Sequence, residues 1–382
     1  MRIIVGAALL LTAACGITAC GTNAAPPASS ALGAGTGTWR KFPPPPISPR
    51  LGAVTAWTGV EALFLGGDSS APCPPNADCL APPGDIRDGA AFDPERGTWR
   101  KTATAPAPIE PYSPSAVIGD EVFLLTADAL LSYDASDDAW TRHPAPSTGL
   151  GYARLVANGD DIIVVRDERH RADPLDQTYD SKTQIWSTMP ADPLGPAFDR
   201  VLTATPAGLV LTGQDLVSQP GSEKHSIVRA ALLDPKSGRW TLLSDSDQLG
   251  GGRWIWTGTR MLDPTLGGAD GGEVNGYARM IPYGGVLDPV LDEWGRLPHP
   301  PEQLTGGWVV EALAGPLAAV EGWVYDDRDE SWIKLLRPYG APTQAGSAVW
   351  ADEQLIVLGG VDLDKGYTVE ALSNDAWSYD AY

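Results

Sequence analysis

The side chains with the most definite chemistry in this 382-residue chain are four cysteines and four histidines. The histidines lie in separate parts of the chain without paired spacing, at His143, His170, His225 and His299. A zinc site needs several nitrogen or sulfur ligands that converge on one point. This distribution disfavours zinc, and we expect the protein to need no metal and no cofactor.

Adjacent aspartates offer a second kind of chemistry, because two carboxylates can act as acid and base on a glycosidic bond. The pairs are Asp137-Asp138, Asp160-Asp161 and Asp326-Asp327. All three fall in expected hairpin turns, where carboxylates are usually solvated. Asp362 and Asp364 could offer oxygen ligands to calcium, but their spacing departs from the EF-hand loop. The chain also lacks a Gly-x-Ser-x-Gly elbow. No catalytic residue is therefore identified, although enzymatic activity stays open.

The N-terminal residues have the form of an export signal. Arg2 precedes the apolar run 3–11, which is shorter than the roughly 20 residues that span a membrane. The segment ends in Ile-Thr-Ala-Cys-Gly, which resembles a bacterial lipobox with Cys20 as the lipidated residue. Cys15 is a rival, with a threonine where the lipobox prefers a branched aliphatic residue. We expect a lipoprotein signal peptide at 1–19 and attachment to the cell membrane, on its extracytoplasmic side, through the N-terminal lipid.

The composition separates a tether from a folded part. Residues 20–37 are rich in Gly, Ala, Pro and Ser and lack apolar periodicity, which predicts a flexible tether. The remainder, 38–382, has no stretch apolar enough to span. The net charge of -21 argues against nucleic acid as a partner, because that interaction needs a cationic surface.

Two cysteines lie close together in the folded part. Cys73 and Cys79 are separated by five residues in a Pro-rich segment. In an exported chain this spacing favours a disulfide that closes a loop, and a metal site without a neighbouring histidine is the less favoured alternative.

A repeated Asp and Trp organise residues 38–382. Six tryptophans follow an aspartate by six residues, and the aspartates recur every 38 to 54 residues. The pairs are Asp93/Trp99, Asp134/Trp140, Asp180/Trp186, Asp234/Trp240, Asp288/Trp294 and Asp326/Trp332. Each Asp ends a short β pattern and begins a tight turn, and the Trp opens the next strand. Two further strand patterns precede each Asp, so every unit predicts four strands, a to d, as in a propeller blade.

These features resemble the kelch-repeat family, which includes the central domain of galactose oxidase. The shared features are the glycine pairs Gly66-Gly67 and Gly359-Gly360 after strand b, the aromatic-Asp ending of strand c, and the Trp six residues later. The resemblance implies a β-propeller but no one function, because kelch propellers include enzymes, adhesins and scaffolds. The Tyr, Cys and His copper ligands of galactose oxidase have no matching positions in this sequence.

The two ends of the chain predict the number of blades. Residues 374–380 form a seventh strand-c pattern, after which the chain stops without a strand d. Residues 38–41, Thr-Trp-Arg-Lys, repeat 98–101, which lie in a strand d. We therefore expect an all-β, seven-bladed kelch-type propeller whose last blade is closed by the N-terminal strand, with six or eight blades as alternatives.

Loop lengths indicate where a ligand could bind. The a–b and c–d turns are short and are expected to build no pocket, whereas long b–c loops are expected at 68–86, 167–176, 214–227, 263–275 and 361–373. Residues near the start of strand a should surround the central channel. The candidate ligand-binding residues are Arg50, Tyr112, Tyr152, Arg200, Arg253 and Trp308, a mixture suited to an anionic or sugar-like ligand. Channel filling is the structural alternative for the same residues.

The sequence thus favours a lipid-anchored, extracytoplasmic binding module for a protein or glycan of the cell envelope. A carbohydrate-directed envelope enzyme with a site at the channel mouth is the alternative, and a passive spacer is a third. The sequence does not indicate the oligomeric state.

Overall fold

The computed structural model describes residues 37–70, 84–146, 152–170, 173–216, 227–246, 252–269, 280–298, 300, 307–363 and 369–381. The expected signal peptide, Cys15, Cys20, nearly all of the tether and the expected disulfide between Cys73 and Cys79 lie outside these residues. Within them, no helix is long and apolar enough to cross a membrane.

The described residues form 28 strands in seven four-stranded antiparallel sheets, which confirms the predicted seven-bladed propeller. Blade 1 is β2 (Val54–Trp57), β3 (Ala62–Leu65), β4 (Gly89–Asp93) and β5 (Thr98–Lys101). Blade 2 is β6 (Ser115–Ile118), β7 (Glu121–Leu125), β8 (Leu130–Asp134) and β9 (Ala139–His143). Blade 3 is β10 (Ala153–Asn158), β11 (Asp161–Arg166), β12 (Gln177–Asp180) and β13 (Ile185–Thr188). Blade 4 is β14 (Ala197–Thr205), β15 (Gly208–Asp215), β16 (Val228–Asp234) and β17 (Arg239–Leu242).

The last three blades follow the same order. Blade 5 is β18 (Ile255–Trp256), β19 (Met261–Ala269), β20 (Met280–Asp288) and β21 (Glu293–Arg296). Blade 6 is β22 (Ala312–Ala314), β23 (Leu317–Val320), β24 (Trp323–Asp326) and β25 (Ser331–Lys334). Blade 7 is β26 (Gln344–Ala351), β27 (Gln354–Leu363), β28 (Val369–Asp380) and the N-terminal β1 (Thr38–Phe42).

The N-terminal strand closes the ring, as predicted. β1 pairs antiparallel with β28 from Thr38 opposite Asp380 to Phe42 opposite Ala376. The first strand of each blade packs beside the first strand of the next, and β2 packs beside β26, so these seven strands surround the central channel. Closure therefore covers the edge of β28 that a linear array would expose.

Each repeated Asp caps the turn between strands c and d. The Asp180 carboxylate, for example, accepts hydrogen bonds from the backbone N–H groups of Lys182 and Thr183 at 2.9 Å. The fourth residue after each Asp is left-handed, as at Gly97 (φ 65°) and Gln184 (φ 59°). Only two of the six turns have glycine at this fourth position. The Asp cap and the short connection therefore define the turn more than glycine does.

Each repeated Trp joins its blade to the preceding blade. The Trp140 indole N–H donates to the Ala103 carbonyl at 2.9 Å, and the Trp39 indole N–H donates to the Leu336 carbonyl at 2.7 Å. Trp186, Trp240, Trp294 and Trp332 make the equivalent bond. Trp99 is the exception, because its indole nitrogen is buried without a partner among the described residues. The repeat therefore encodes blade-to-blade contacts as well as strands.

Apolar side chains fill the space between blades. Seven large buried clusters occur among the described residues, one for each pair of neighbouring blades. In β3, Ala62, Leu63, Phe64 and Leu65 are all fully buried, because this central strand is covered on both faces. The core therefore lies around the ring, between neighbouring blades.

Two of the expected long loops are partly strand. β27 and β28 pair as far as Leu363 opposite Val369, inside the segment expected to be a loop at 361–373. β19 likewise continues to Ala269, inside the segment expected at 263–275. These loop boundaries were wrong because the b–c hairpins of blades 5 and 7 extend beyond the blade core.

Candidate functional site

The described residues enclose two cavities at the end of the channel where the first strand of each blade begins. The larger, of about 600 Å³, is lined by residues of blades 2 to 5, including Tyr112, Tyr152, Arg154, Asp167 and Trp254. The second, of about 440 Å³, is lined from blades 1, 6 and 7 and shares Tyr112 with the first. This end of the propeller carries the d–a and b–c connections, and we call it the entry rim.

The opposite end, with the a–b and c–d turns, is called the turn rim. It also carries a cavity, of about 330 Å³, between Pro94 and Glu95 on one side and Glu353 and Gln354 on the other. The expectation that short turns build no pocket was therefore wrong, since neighbouring blades can enclose a cavity between their turns.

Two exposed tyrosines of the entry rim line the larger cavity. Tyr112 and Tyr152 are 80% and 91% exposed, although both line the larger cavity. Tyr112 has a left-handed backbone (φ 57°) and donates its N–H to the Gly52 carbonyl at 2.8 Å. A Cβ at Gly52 would lie 2.9 Å from the Tyr112 ring, so only glycine allows this ring position. A strained aromatic residue held at a cavity is typical of a binding site.

Arg154 lines the larger cavity, where it is paired with Asp167, and Asp199 lies nearby. Its Nε and Nη2 atoms contact Asp167 Oδ1 at 2.9 and 2.8 Å. A Cβ at Gly252 would lie within 3.5 Å of both Arg154 Nη2 and the Asp199 carboxyl carbon, so both groups approach Gly252. Burial raises the pKa of Asp199, the negative charge of Asp167 adds to the rise, and Arg154 opposes it. We call Tyr112, Tyr152, Arg154, Asp167 and Asp199 the mouth site.

The local backbone explains how Asp199 reaches this point. Asp199 has a left-handed backbone (φ 48°) at a register shift between Phe198 and Val201, where β14 pairs with β15. A bulge redirects one side chain out of the regular alternation. Among the described residues Asp199 accepts one hydrogen bond, from Gln214 Nε2 at 3.1 Å.

A similar arrangement occurs around Arg253. Arg253 Nε lies 3.2 Å from Glu311 Oε1. Burial raises the pKa of Glu321, the charge of Arg253 opposes the rise, and Glu311 adds to it. Asp263, fully buried in β19, has a pKa raised to about 6 by burial. Its Oδ1 accepts from Thr265, whereas its Oδ2 has no partner among the described residues.

The six predicted site residues fall into two groups. Tyr112 and Tyr152 line the larger cavity, and Arg253 is half-buried beside Glu311. The other three are buried: Arg50 contacts Asp88 at 2.9 Å, Arg200 contacts Asp176 and Asp192 at 2.7 and 3.0 Å, and the Trp308 indole N–H donates to the Pro342 carbonyl at 3.0 Å. The structure thus gives Arg50, Arg200 and Trp308 packing contacts, and a ligand-binding role for the set stays a prediction.

Sequence reasoning missed Arg154, Asp199 and Trp254 and placed Asp167 only in a loop. Arg154 follows Tyr152 by two residues and Asp199 precedes Arg200, so proximity to the strand-a starts could have identified both. The positive φ of Asp199 carries no sequence signal, because aspartate is common in ordinary turns.

A chain of hydrogen bonds elsewhere has the residue types of a nucleophile and base. His143 Nε2 contacts Ser132 Oγ at 2.7 Å, and its Nδ1 contacts the Tyr179 hydroxyl at 2.9 Å. All three side chains are buried between blades 2 and 3, and burial lowers the pKa of His143. These bonds satisfy polar groups inside the core, where no substrate can reach them.

The described residues contain no group of three or more His, Cys, Asp or Glu side chains that could hold a metal ion. Asp362, considered for calcium, accepts a hydrogen bond from the Thr343 N–H at 3.0 Å, and Asp364 lies outside the described residues. No family model matches the chain, and no curated protein matches it.

Proposed function

We propose that the protein is a lipid-anchored, extracytoplasmic binding module of the kelch-repeat kind, which binds a protein or glycan of the cell envelope at the mouth site. The lipobox-like sequence ending at Cys20 supports the anchor. The glycine pairs support the kelch-type assignment, since Gly66, Gly67, Gly359 and Gly360 all have the positive φ that such a pair allows.

The observation that carries the binding role is the exposure of Tyr112 and Tyr152 at the wall of a cavity of about 600 Å³. Tyrosines present a large, stiff apolar surface and a hydroxyl, and they lose little entropy on binding. A cavity of this size matches the volume of typical ligand sites.

Substitution of both tyrosines tests the role. A panel of immobilised envelope glycans and secreted proteins would be screened with the wild-type protein and with the Tyr112→Ala/Tyr152→Ala variant. We expect the variant to lose the ligands that the wild type binds. Tyr339→Ala is the matched control, because Tyr339 is fully exposed on the d–a connection between blades 6 and 7, outside the lining of both mouth cavities. The proposal would be contradicted by a ligand that the double variant still binds but that is lost when residues of the turn rim are substituted.

The carbohydrate-directed enzyme is a second candidate, favoured by one observation. Asp199 with a raised pKa lies near Asp167, which Arg154 holds, and such a pair resembles an acid and a stabilising carboxylate. Hydrolysis of an envelope oligosaccharide that Asp199→Asn and Asp167→Asn each abolish would support it. If the wild-type protein binds the oligosaccharide but does not hydrolyse it, the enzymatic role is excluded.

A further inference from the structure

The entry rim carries more negative than positive charge. Arg154 is the only cationic side chain among the described residues that line the two mouth cavities. It contacts Asp167 at 2.8 Å, and Asp199 lies near it and forms no salt bridge with any of the described residues. One arginine among two carboxylates leaves one negative charge uncompensated.

The second cluster repeats this imbalance. Arg253 contacts Glu311 at 3.2 Å, and its positive charge also opposes the rise in the pKa of Glu321. One arginine is therefore again shared between two acids. Asp263, fully buried, interacts electrostatically with both Arg253 and Asp199. Its Oδ2 accepts no hydrogen bond from the described residues. The excess of negative charge therefore extends from blade 4 to blade 6.

Two of the three arginines that sequence reasoning assigned to the mouth do not supply the missing positive charge. Arg50 is 3% exposed and is held by Asp88, and Arg200 is fully buried between Asp176 and Asp192. An anionic ligand at the mouth would meet the carboxylates without these two cations, and the chain as a whole carries a charge of -21.

The exposed tyrosines also favour a positively charged ligand. The face of an aromatic ring attracts ammonium and guanidinium groups, more strongly where the group is partly desolvated. Tyr112 and Tyr152 line the cavity that Asp167 also lines. Aromatic rings beside carboxylates attract a cation and repel an anion.

We propose that the mouth site binds a cationic group, namely the ammonium or guanidinium group of a lysine or arginine side chain on a protein partner. This inference rests on the proposed binding function and selects a protein over a glycan as the ligand. The cationic group lies beside Asp199 and against the tyrosine rings, and the partner's backbone remains on the entry rim.

Three blocked tripeptides and one sugar test the inference by calorimetry. The probes are acetyl-Gly-Arg-Gly-amide, its citrulline analogue with the same shape but no charge, acetyl-Gly-Glu-Gly-amide, and a neutral N-acetylglucosamine tetrasaccharide. We expect the arginine peptide to bind at least about tenfold more tightly than the citrulline peptide. We expect Asp199→Asn to remove about the same factor.

The substitutions are chosen to preserve the fold. Asparagine tolerates the left-handed backbone of Asp199 and can still accept the Gln214 hydrogen bond. Asp160→Asn is the matched control, because Asp160 is an exposed acid of blade 3 on the turn rim. A thermal melt of each variant reports whether the fold is retained.

The outcomes separate this inference from the proposed function. Equal affinity for the arginine and citrulline peptides, or an Asp160→Asn effect as large as that of Asp199→Asn, would overturn the cationic preference. Sugar binding that the Tyr112→Ala/Tyr152→Ala variant abolishes, without peptide binding, would keep the binding function and overturn the cation. No binding of any probe at millimolar concentration would overturn the inference, while the wider screen of envelope ligands would still decide the function.

Discussion

Arg154 and Asp167 form an ion pair at the wall of the larger mouth cavity, with Nη2 and Oδ1 2.8 Å apart. Their side chains are 41% and 30% exposed, so solvent reaches the pair and limits its contribution to stability. In the proposed binding role, the pair matters more for the ligand than for the fold, because it sets how much negative charge the cavity presents.

Removal of the arginine should strengthen the binding of cations. In Arg154→Gln, Asp167 and Asp199 lose the positive charge between them, and we expect the arginine tripeptide to bind about threefold to tenfold more tightly. Calorimetry at low salt measures the change. Arg142→Gln is the control, since Arg142 is a half-exposed arginine paired with Asp128 in the neighbouring blade. Weaker binding in Arg154→Gln would show that Arg154 contacts the ligand itself.

The Tyr112 ring depends on Gly52. Gly52 has a φ of 64°, and a Cβ there would lie 2.9 Å from Tyr112 and 2.8 Å from Pro111. We expect Gly52→Ala to displace the ring, to weaken ligand binding and to cost about 2 kcal/mol of unfolding free energy. Gly59→Ala separates backbone strain from steric contact with Tyr112 and Pro111. Gly59 also has a positive φ, but no atom lies within 4 Å of the added Cβ. If chemical denaturation shows the same loss of unfolding free energy for both variants, the steric contact at Gly52 does not contribute to stability.

The buried Asp263 should make stability depend on pH. Its pKa is about 6 in the folded protein against an ordinary 3.8, so the folded state binds the proton more tightly. The stability that this provides is fully present below pH 3.8 and is lost as the pH rises through about 6. We expect Asp263→Asn to raise the unfolding free energy at pH 7 by about 2 kcal/mol more than at pH 4. The groups that act on Asp263 are Thr265, Arg253 and Asp199, none of which this variant changes.

Chemical denaturation at both pH values measures this difference. Asp137→Asn, a change of an exposed acid in a turn, is the control for the loss of one carboxylate at the surface. A gain that is equal at pH 4 and pH 7 would mean that Asp263 is not preferentially protonated in the folded state.

Ring closure by β1 should dominate the stability of the N-terminal region. Deletion of 38–42 removes the partner of β28 and the Trp39 hydrogen bond to Leu336, and it exposes a sheet edge. We expect this deletion to lower the melting temperature by many degrees and to promote aggregation. Deletion of 21–35, before the first strand, should have little effect. Equal melting temperatures would contradict the role of β1 in closure.

The membrane anchor is tested by one substitution. Cys20→Ser should abolish lipidation and move the protein from the membrane to a soluble fraction, as measured by fractionation and by metabolic labelling with a fatty acid. Cys15→Ser is the matched control and should leave the distribution unchanged. Retention of the Cys20→Ser variant in the membrane, with loss of the Cys15→Ser variant, would move the lipidation site to Cys15.

The blade architecture could be predicted because each repeat encodes a local turn. The spacing from Asp134 to Trp140 contains the cap, the left-handed residue and the first residues of strand d, all within one hairpin. The match between residues 38–41 and 98–101 similarly placed β1 as a fourth strand, because strand identity depends on a short motif. Local sequence therefore determined most of the fold.

The mouth site could be predicted only in part, because it depends on distances between blades. Tyr112 and Tyr152 were identified from their position before strand a. Arg50 also precedes a strand a, and Arg200 lies near the start of β14. Their carboxylate partners come from other strands or connections, and only the folded register brings Asp88 and Asp176 to them. Charge compensation of this kind has no sequence signal at a fixed spacing.

The most direct test of the account is a titration followed by NMR of the protein with labelled tyrosine rings. Addition of acetyl-Gly-Arg-Gly-amide should shift the ring signals of Tyr112 and Tyr152, assigned by substitution, and leave Tyr339 on the same rim unchanged. The citrulline peptide should cause much smaller shifts at the same concentration. Shifts confined to Tyr339, or no shift at Tyr112 and Tyr152 while the peptide binds, would show that the ligand does not occupy the mouth site.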